Sequence, residues 1–239
     1  MQAYIEKVIA DFTQTFIDAQ RWKSLLGGIG ITLELTFLAL ILGIILGVLV
    51  AIVRSSYDQQ SIGGKPALPL RILNRICNLY LTVVRGTPVM VQLMIMYFVI
   101  MVSTTNKVLV GMMTFGINSG AYVAEIIRSG IMSIDKGQSE AARSLGLSYG
   151  KTMQLIIIPQ AIKNILPALC NEFIALLKET SIVNIIGIKD ITKWAMNVQG
   201  RTYQAFMPFI GIALIYLFFV IIITKLIGKL EKRLRRDAY

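Results

Sequence analysis

The chain has 239 residues, 55% of them hydrophobic and only 15% charged, which is too little charge for an ordinary soluble domain. A net charge of +11 would suit a nucleic-acid partner, but the basic residues gather in the connections between apolar runs, so membrane lipid is the expected surrounding and nucleic acid is not an expected partner. With no histidine and only Cys77 and Cys170, in or beside apolar segments at no ligand or disulfide spacing, neither a metal centre nor any other cofactor is expected.

Five segments are long and apolar enough to span a bilayer, at about 25–53, 72–102, 108–130, 153–178 and 204–228. Ahead of them, Ile5, Val8, Ile9, Phe12, Phe16 and Ile17 recur at helical spacing among polar residues. That pattern predicts an amphipathic segment over 1–24, lying on the outer leaflet as an anchor. The first span is too long for a signal-peptide core and is expected to be retained. Its Gly43 and Gly47, four apart, permit close helix contact, and Glu34 is expected at such a contact. Residues 61–66, Ser-Ile-Gly-Gly-Lys-Pro, read as a flexible turn.

The second span is interrupted by Arg85-Gly86-Thr87-Pro88, a combination unsuited to an unbroken lipid-facing helix. An elbow is expected there, with 72–84 partly in the interface and 88–102 completing the crossing. In the third span, Asn118, Tyr122 and Glu125 follow i, i+4, i+7 spacing and define one polar stripe that should face inward. Glu125 and Arg128 read as a structural ion pair.

Between the third and fourth spans, Asp135 and Gln138 form a capping-box pattern and Gly146 suits the residue that ends the helix. Glu140 stands in the first half of this short helix, and Ala141 and Ala142 leave room for another surface to approach. The spacing Glu140-Ala141-Ala142, three residues, Gly146, nine residues, Ile156-Ile157-Ile158-Pro159 resembles the EAA loop of ABC importer permease subunits. Ile158 stands where that family mostly has Leu, a swap that keeps size and apolarity. The Arg-Gly-Thr-Pro stretch and residues 120–128, Gly-Ala-Tyr-Val-Ala-Glu-Ile-Ile-Arg, are similar to the polar-amino-acid branch, the histidine, arginine and glutamine permeases.

The fourth span carries Pro159 and Pro167 and should kink. Its Glu172 and Glu179, seven residues apart, share one face, and paired carboxylates suit an ammonium or guanidinium group. Glu172 reads equally as a partner for Lys163 or Arg85, and Glu179 as an interfacial neighbour of Lys178. Thr87 and Gln92, just past the break, are further hydrogen-bonding candidates toward a ligand or a neighbouring helix. One or two short helices are expected over 180–202, and residues 231–239 form a basic tail. Gly146 to Thr152 imitates a phosphate-binding loop but is one residue short between its glycines and follows no strand, so ATP hydrolysis is not expected from this chain.

The resemblance implies an all-α integral membrane protein with the five transmembrane helices of the type I importer permease fold and a cytoplasmic coupling helix. Residues 25–230 form the permease domain, with the coupling loop at about 131–152. It implies partners too: a dimer of ATPase subunits that bind ATP and Mg, an extracytoplasmic amino-acid-binding protein, and a second permease subunit, identical or not. Glu140, Ala141, Ala142 and Gly146 would then couple to the ATPase, while Glu172, Glu179, Asn118, Tyr122, Thr87 and Gln92 would contact substrate. The basic residues favour a bacterial inner-membrane topology with the N-terminus outside and the C-terminus cytoplasmic. An ion-gradient-driven secondary transporter, titrating Glu172 or Glu179, is the alternative.

Overall fold

The structure, a computed structural model, describes residues 1–236, excepting the side chains at 59, 62, 63 and 234–236. Of the predicted basic tail, 231–236 continue the last helix and 237–239 lie outside the described residues. The described residues form helices joined by short loops, with no strand.

The first helix is shorter than expected. α1 spans Gln2–Phe12, a wider π-helical turn follows over Thr13–Ile17, and Ala19 and Gln20 adopt left-handed φ of 51° and 53°. The chain turns there, and α2 runs from Arg21 to Gly63. At about 1.5 Å per residue, α2 is roughly 64 Å long, about twice a bilayer core, so it continues beyond the predicted end near 53. Nothing in Arg54–Ser61 breaks a helix. The break comes at Gly64, with φ of 142°, rather than across a flexible 61–66 turn.

The elbow is where Gly86 and Pro88 require it. α3 (Leu68–Gly86) and α4 (Val89–Ile95, continued by a π-helical turn to Ile100) meet at a bend of 107°. Pro88 offers no N–H, and Thr87 before it is extended, the conformation a following proline favours.

α5 (Lys107–Met132) runs parallel to α2, pairing Leu35 with Gly111, Gly43 with Ser119 and Gly47 with Val123. Small residues make that approach possible: a Cβ on Gly47 would stand 2.5 Å from the Val123 side chain, and one on Gly116 2.6 Å from Leu42. α8 (Ile158–Glu179) is antiparallel to both, with Ile165 against Gly130 at one end and Thr180 beside Thr36 at the other. α10 (Phe206–Arg236) starts beside the N-terminal part of α2, where Ile212 packs with Leu25 and Trp194. Two connecting helices lie at opposite ends. α6 (Lys136–Ser144) follows α5 and leads to a single turn, α7 (Tyr149–Thr152), and α9 (Ile191–Thr202) follows a 3-10 turn over Thr180–Ile186 closed by Gly187 at φ of 80°.

Among the described residues, three helical stretches are long and apolar enough to cross a membrane, Gln2–Asp58, Tyr149–Ile186 and Phe206–Arg233, and the bent pair α3–α4 makes a fourth if it is one span. α5, the third predicted span, is not among them. Its Thr114, Asn118, Ser119, Glu125 and Arg128 dilute its apolar character, yet it is the most enclosed of the long helices, buried from Val110 to Ala124 at most positions. Pro159 costs no helix bond, because it stands in the first turn of α8 behind the π-helical turn Met153–Ile157; Pro167 lies within α8.

Candidate functional site

Two places gather the chemistry. The first is a cavity of about 430 Å³ between α3, α5 and the middle of α8, lined by Arg85, Tyr122, Glu125, Ser129, Asn164 and Glu172. Glu172 accepts a hydrogen bond from Ser119 Oγ at 2.7 Å, rather than pairing with Arg85. The Arg85 guanidinium lies 5.6 Å from the Tyr122 ring centre and 3.6 Å from Glu125 Oε2.

Glu125 does more than pair with Arg128. Arg54 Nη1 lies 3.4 Å from Glu125 Oε2 and Arg128 Nη1 3.6 Å from Oε1, and Arg128 also reaches Asp58 at 3.6 Å. Three guanidinium groups from α2, α3 and α5 thus converge on one carboxylate. A second cavity of about 550 Å³, lined by Arg54, Asn78, Arg85, Tyr122, Glu125 and Arg128, adjoins on the α6 side. Arg85, Tyr122 and Glu125 line both cavities and stand between them.

The remaining sequence candidates separate. Gln92 Nε2 donates to the carbonyls of Val84 and Thr87 and to Thr87 Oγ1, while Gln92 Oε1 accepts from Asn118 Nδ2. Thr87, Gln92 and Asn118 therefore form one strap across the elbow, satisfying carbonyls that the broken helix leaves without partners. Glu179 lies two turns above Glu172, half-buried, and does not line the cavity. Glu34, expected at a helix contact, is exposed on the outward side of α2 beside Phe37 and Ile41. Sequence reading missed Arg54 and Asp58, which lie far from Glu125 in the chain, and Ser119 as the partner of Glu172. The polar stripe on α5 was the only signal pointing to them.

The second place is α6. Asp135 caps it, accepting from the Gly137 N–H at 2.6 Å, but the Gln138 side chain does not return a bond, so the predicted capping box is a single cap. Gly146, at φ of 83°, closes it with two crossed bonds, Gly146 N–H to the Arg143 carbonyl and Leu147 N–H to the Ala142 carbonyl. Ala142 is 2% exposed and faces the chain itself, where α6 packs on Met153–Ile157. At this position the small side chain admits the chain's own bundle. Glu140 and Ala141 face outward, and Leu145 stands 84% exposed at the end of the helix.

Residues 62–236 match the family described as the binding-protein-dependent transport system inner membrane component. The chain belongs to this family. Over 216 residues it is 38% identical to the arginine transport system permease protein ArtQ of Bacillus subtilis (strain 168), covering 89% of this chain and 93% of that one. Over 207 residues it is 38% identical to the putative glutamine transport system permease protein GlnP of Rickettsia prowazekii (strain Madrid E), covering 85% and 89%. Among solved structures it is similar to an amino acid ABC transporter crystallised with histidines, at 41% identity and a TM-score of 0.80, covering 88% of this chain and 94% of that one. The all-helical bundle with α6 between α5 and α8 is thus the fold of an ABC importer permease, a membrane component belonging to the inner membrane.

Proposed function

We propose that this permease carries polar amino acids, cationic ones among them, through a complex with two ATPase subunits, a second permease subunit and an extracytoplasmic binding protein. The observation that carries the reading is the pairing of the two places within one chain. A capped helix exposing Glu140, Ala141 and Leu145 sits on the same bundle as a cavity holding Glu172. The relatives named for arginine and glutamine support the substrate class.

In this reading α6 faces the cytoplasm, and the end where α2, α5 and α10 begin faces outward. ATP binding closes the ATPase dimer and draws the two α6 helices together, tilting the bundles so that the midplane cavity opens outward; hydrolysis and release restore the inward state. Glu172 offers a carboxylate to the ammonium or guanidinium group of the substrate. Asn118, Gln92 and Thr87 hold the elbow that shapes one wall, and Tyr122 lines the other. Glu179 adds negative potential along the outer part of α8.

Uptake of labelled arginine, glutamine and cystine into vesicles holding the permease with its ATPase and binding protein tests the proposal. Uptake requires ATP inside and fails without the ATPase. Uptake driven by an ion gradient alone would instead make this a secondary transporter. Within the importer, Glu172→Gln weakens cationic substrates about ten- to hundredfold, the range of one lost charge-assisted hydrogen bond, and neutral ones less. Equal loss for both classes would assign the carboxylate to the shared α-ammonium group or to folding.

A further inference from the structure

At the end of the bundle opposite α6, the first turns of α2 and one side of α9 enclose a cavity of about 380 Å³. Its floor is apolar, made by Ile31, Trp194 and Val198, and its charged lining comprises Arg21, Lys189, Arg201 and Asp190. The lone anion is already engaged. Asp190 is 1% exposed, and its two oxygens accept from the N–H groups of Thr192 at 3.0 Å and Lys193 at 2.9 Å, capping α9. Among the described residues, none of the three cations has an acidic partner within ion-pair distance. Arg21 donates from Nη1 to the Gln14 carbonyl, yet its Nε is enclosed without an acceptor.

An apolar floor under three cations that lack an acidic partner among the described residues fits a carboxylate on a short aliphatic stem. A free amino acid fits less well, because its ammonium group would need the Asp190 oxygens that the α9 cap occupies. The cavity is also built partly from α9, whose 12 residues are too few to span a bilayer, rather than from the lipid-facing flanks of the spans. From α9, load passes to the transport helices: Ile191 N–H reaches Thr32 Oγ1 at 3.4 Å, and Thr36 lies 3.4 Å from Thr180 at the top of α8.

We propose that this cavity receives an aspartate or glutamate side chain of the extracytoplasmic binding protein, and that the resulting contact joins that protein to α9 and α8. The inference rests on the importer reading and on its outward assignment of this end.

The test uses the complete transporter in vesicles of phosphatidylcholine and phosphatidylethanolamine, with the purified binding protein that supports uptake by the wild type. The concentration of binding protein giving half-maximal ATPase stimulation is measured across a salt series. Lys189→Glu and Arg201→Glu, both at exposed positions, raise it by about tenfold and flatten its salt dependence, as expected when a charged contact reverses sign. Arg201→Lys retains most of the wild-type response, and an Asp→Lys or Glu→Lys change on the binding protein rescues the reversed variants. An unchanged half-maximal concentration overturns the proposal. So does a defect that appears only when anionic lipid is added, which would make the occupant a lipid phosphate. A wild type that transports with ATP but needs no binding protein overturns this inference alone, whereas absence of ATP-dependent uptake overturns the importer reading beneath it.

Discussion

α5 and α10 are both long helices of the same bundle, and they solve the membrane in opposite ways. α10 is apolar enough to be recognised as a span, and it leaves Leu214, Leu217, Phe218, Ile221 and Leu226 exposed. α5 carries Thr114, Asn118, Ser119, Glu125 and Arg128, is less apolar than a lipid-facing span, and is buried inside the protein at most positions from Val110 to Ala124. Hydropathy measures what a helix offers to lipid. It says little about a helix whose solvent is other helices, where small residues and satisfied polar groups decide whether it fits.

The sharpest way to break the comparison is to fill the gaps around α5. A Cβ on Gly47 meets Val123, a β-branched side chain with little freedom to move, at 2.5 Å, and the Ala124 nitrogen at 2.9 Å. Gly47→Ala therefore costs about 1–3 kcal/mol through overpacking, read as a fall in Tm of the purified complex. Gly228 in α10 has nothing within 4 Å of the same position. Gly228→Ala leaves Tm unchanged or raises it, since helix propensity contributes up to about 1 kcal/mol of stability. Equal responses at both sites would mean that α2 and α5 are not packed as closely as described.

The charged end of α5 gives the next effect. Glu125 faces Arg54, Arg85 and Arg128, and Glu125→Ala leaves three guanidinium groups repelling one another. All four side chains retain some exposure, so the cost is about 1–2 kcal/mol rather than that of a fully buried pair. Arg85→Gln in the same background removes part of that repulsion, so the double variant is more stable than the sum of the two single losses predicts, the signature of a coupled pair in a double-mutant cycle.

How far each region could be read from sequence follows the same division. α6 was legible because its signals are local: Asp135 caps it and Gly146 closes it within a dozen residues. Gly86 and Pro88 announced the elbow for the same reason. The strap of Thr87, Gln92 and Asn118 was half legible, since the residues were noticed as polar but their use, closing broken backbone, depends on a helix 26 residues away. The bond from Ser119 to Glu172 and the approach of Arg54 to Glu125 span 53 and 71 residues, and no local pattern encodes them. Ala142 shows the limit most clearly. Small residues announce close approach without naming what approaches, and here it is the chain's own α8 leader.

A smaller effect is expected at the closing residue of α6. Gly146→Val forces a β-branched residue to φ of 83° where nothing crowds the side chain, so the strain is about 1–2 kcal/mol and confined to the loop. The bundle stays folded, with an unchanged core Tm, while transport-coupled ATP hydrolysis falls as the docking helix loses its fixed end. Unchanged coupling would count against a role for the cap.

The smallest expected effect belongs to Asp190, a buried carboxylate outside the spans. Burial pushes its pKa above 3.8, and the hydrogen bonds from Lys193 and Thr192 only partly offset that rise. A carboxyl group whose folded pKa is raised binds protons more readily folded than unfolded, so stability falls as pH climbs from 3.8 through the folded value. Asp190→Asn keeps an acceptor at the start of α9 without the charge, and asparagine caps helices about as well as aspartate. The variant therefore matches the wild type at the acid end of that window and gains a small advantage above it, seen by comparing Tm of the two complexes from pH 4 to pH 7. A variant that loses stability across the whole range would mean that the charge itself is used, as it would be if Lys189 or Arg201 leaned on Asp190 rather than waiting for a carboxylate from outside.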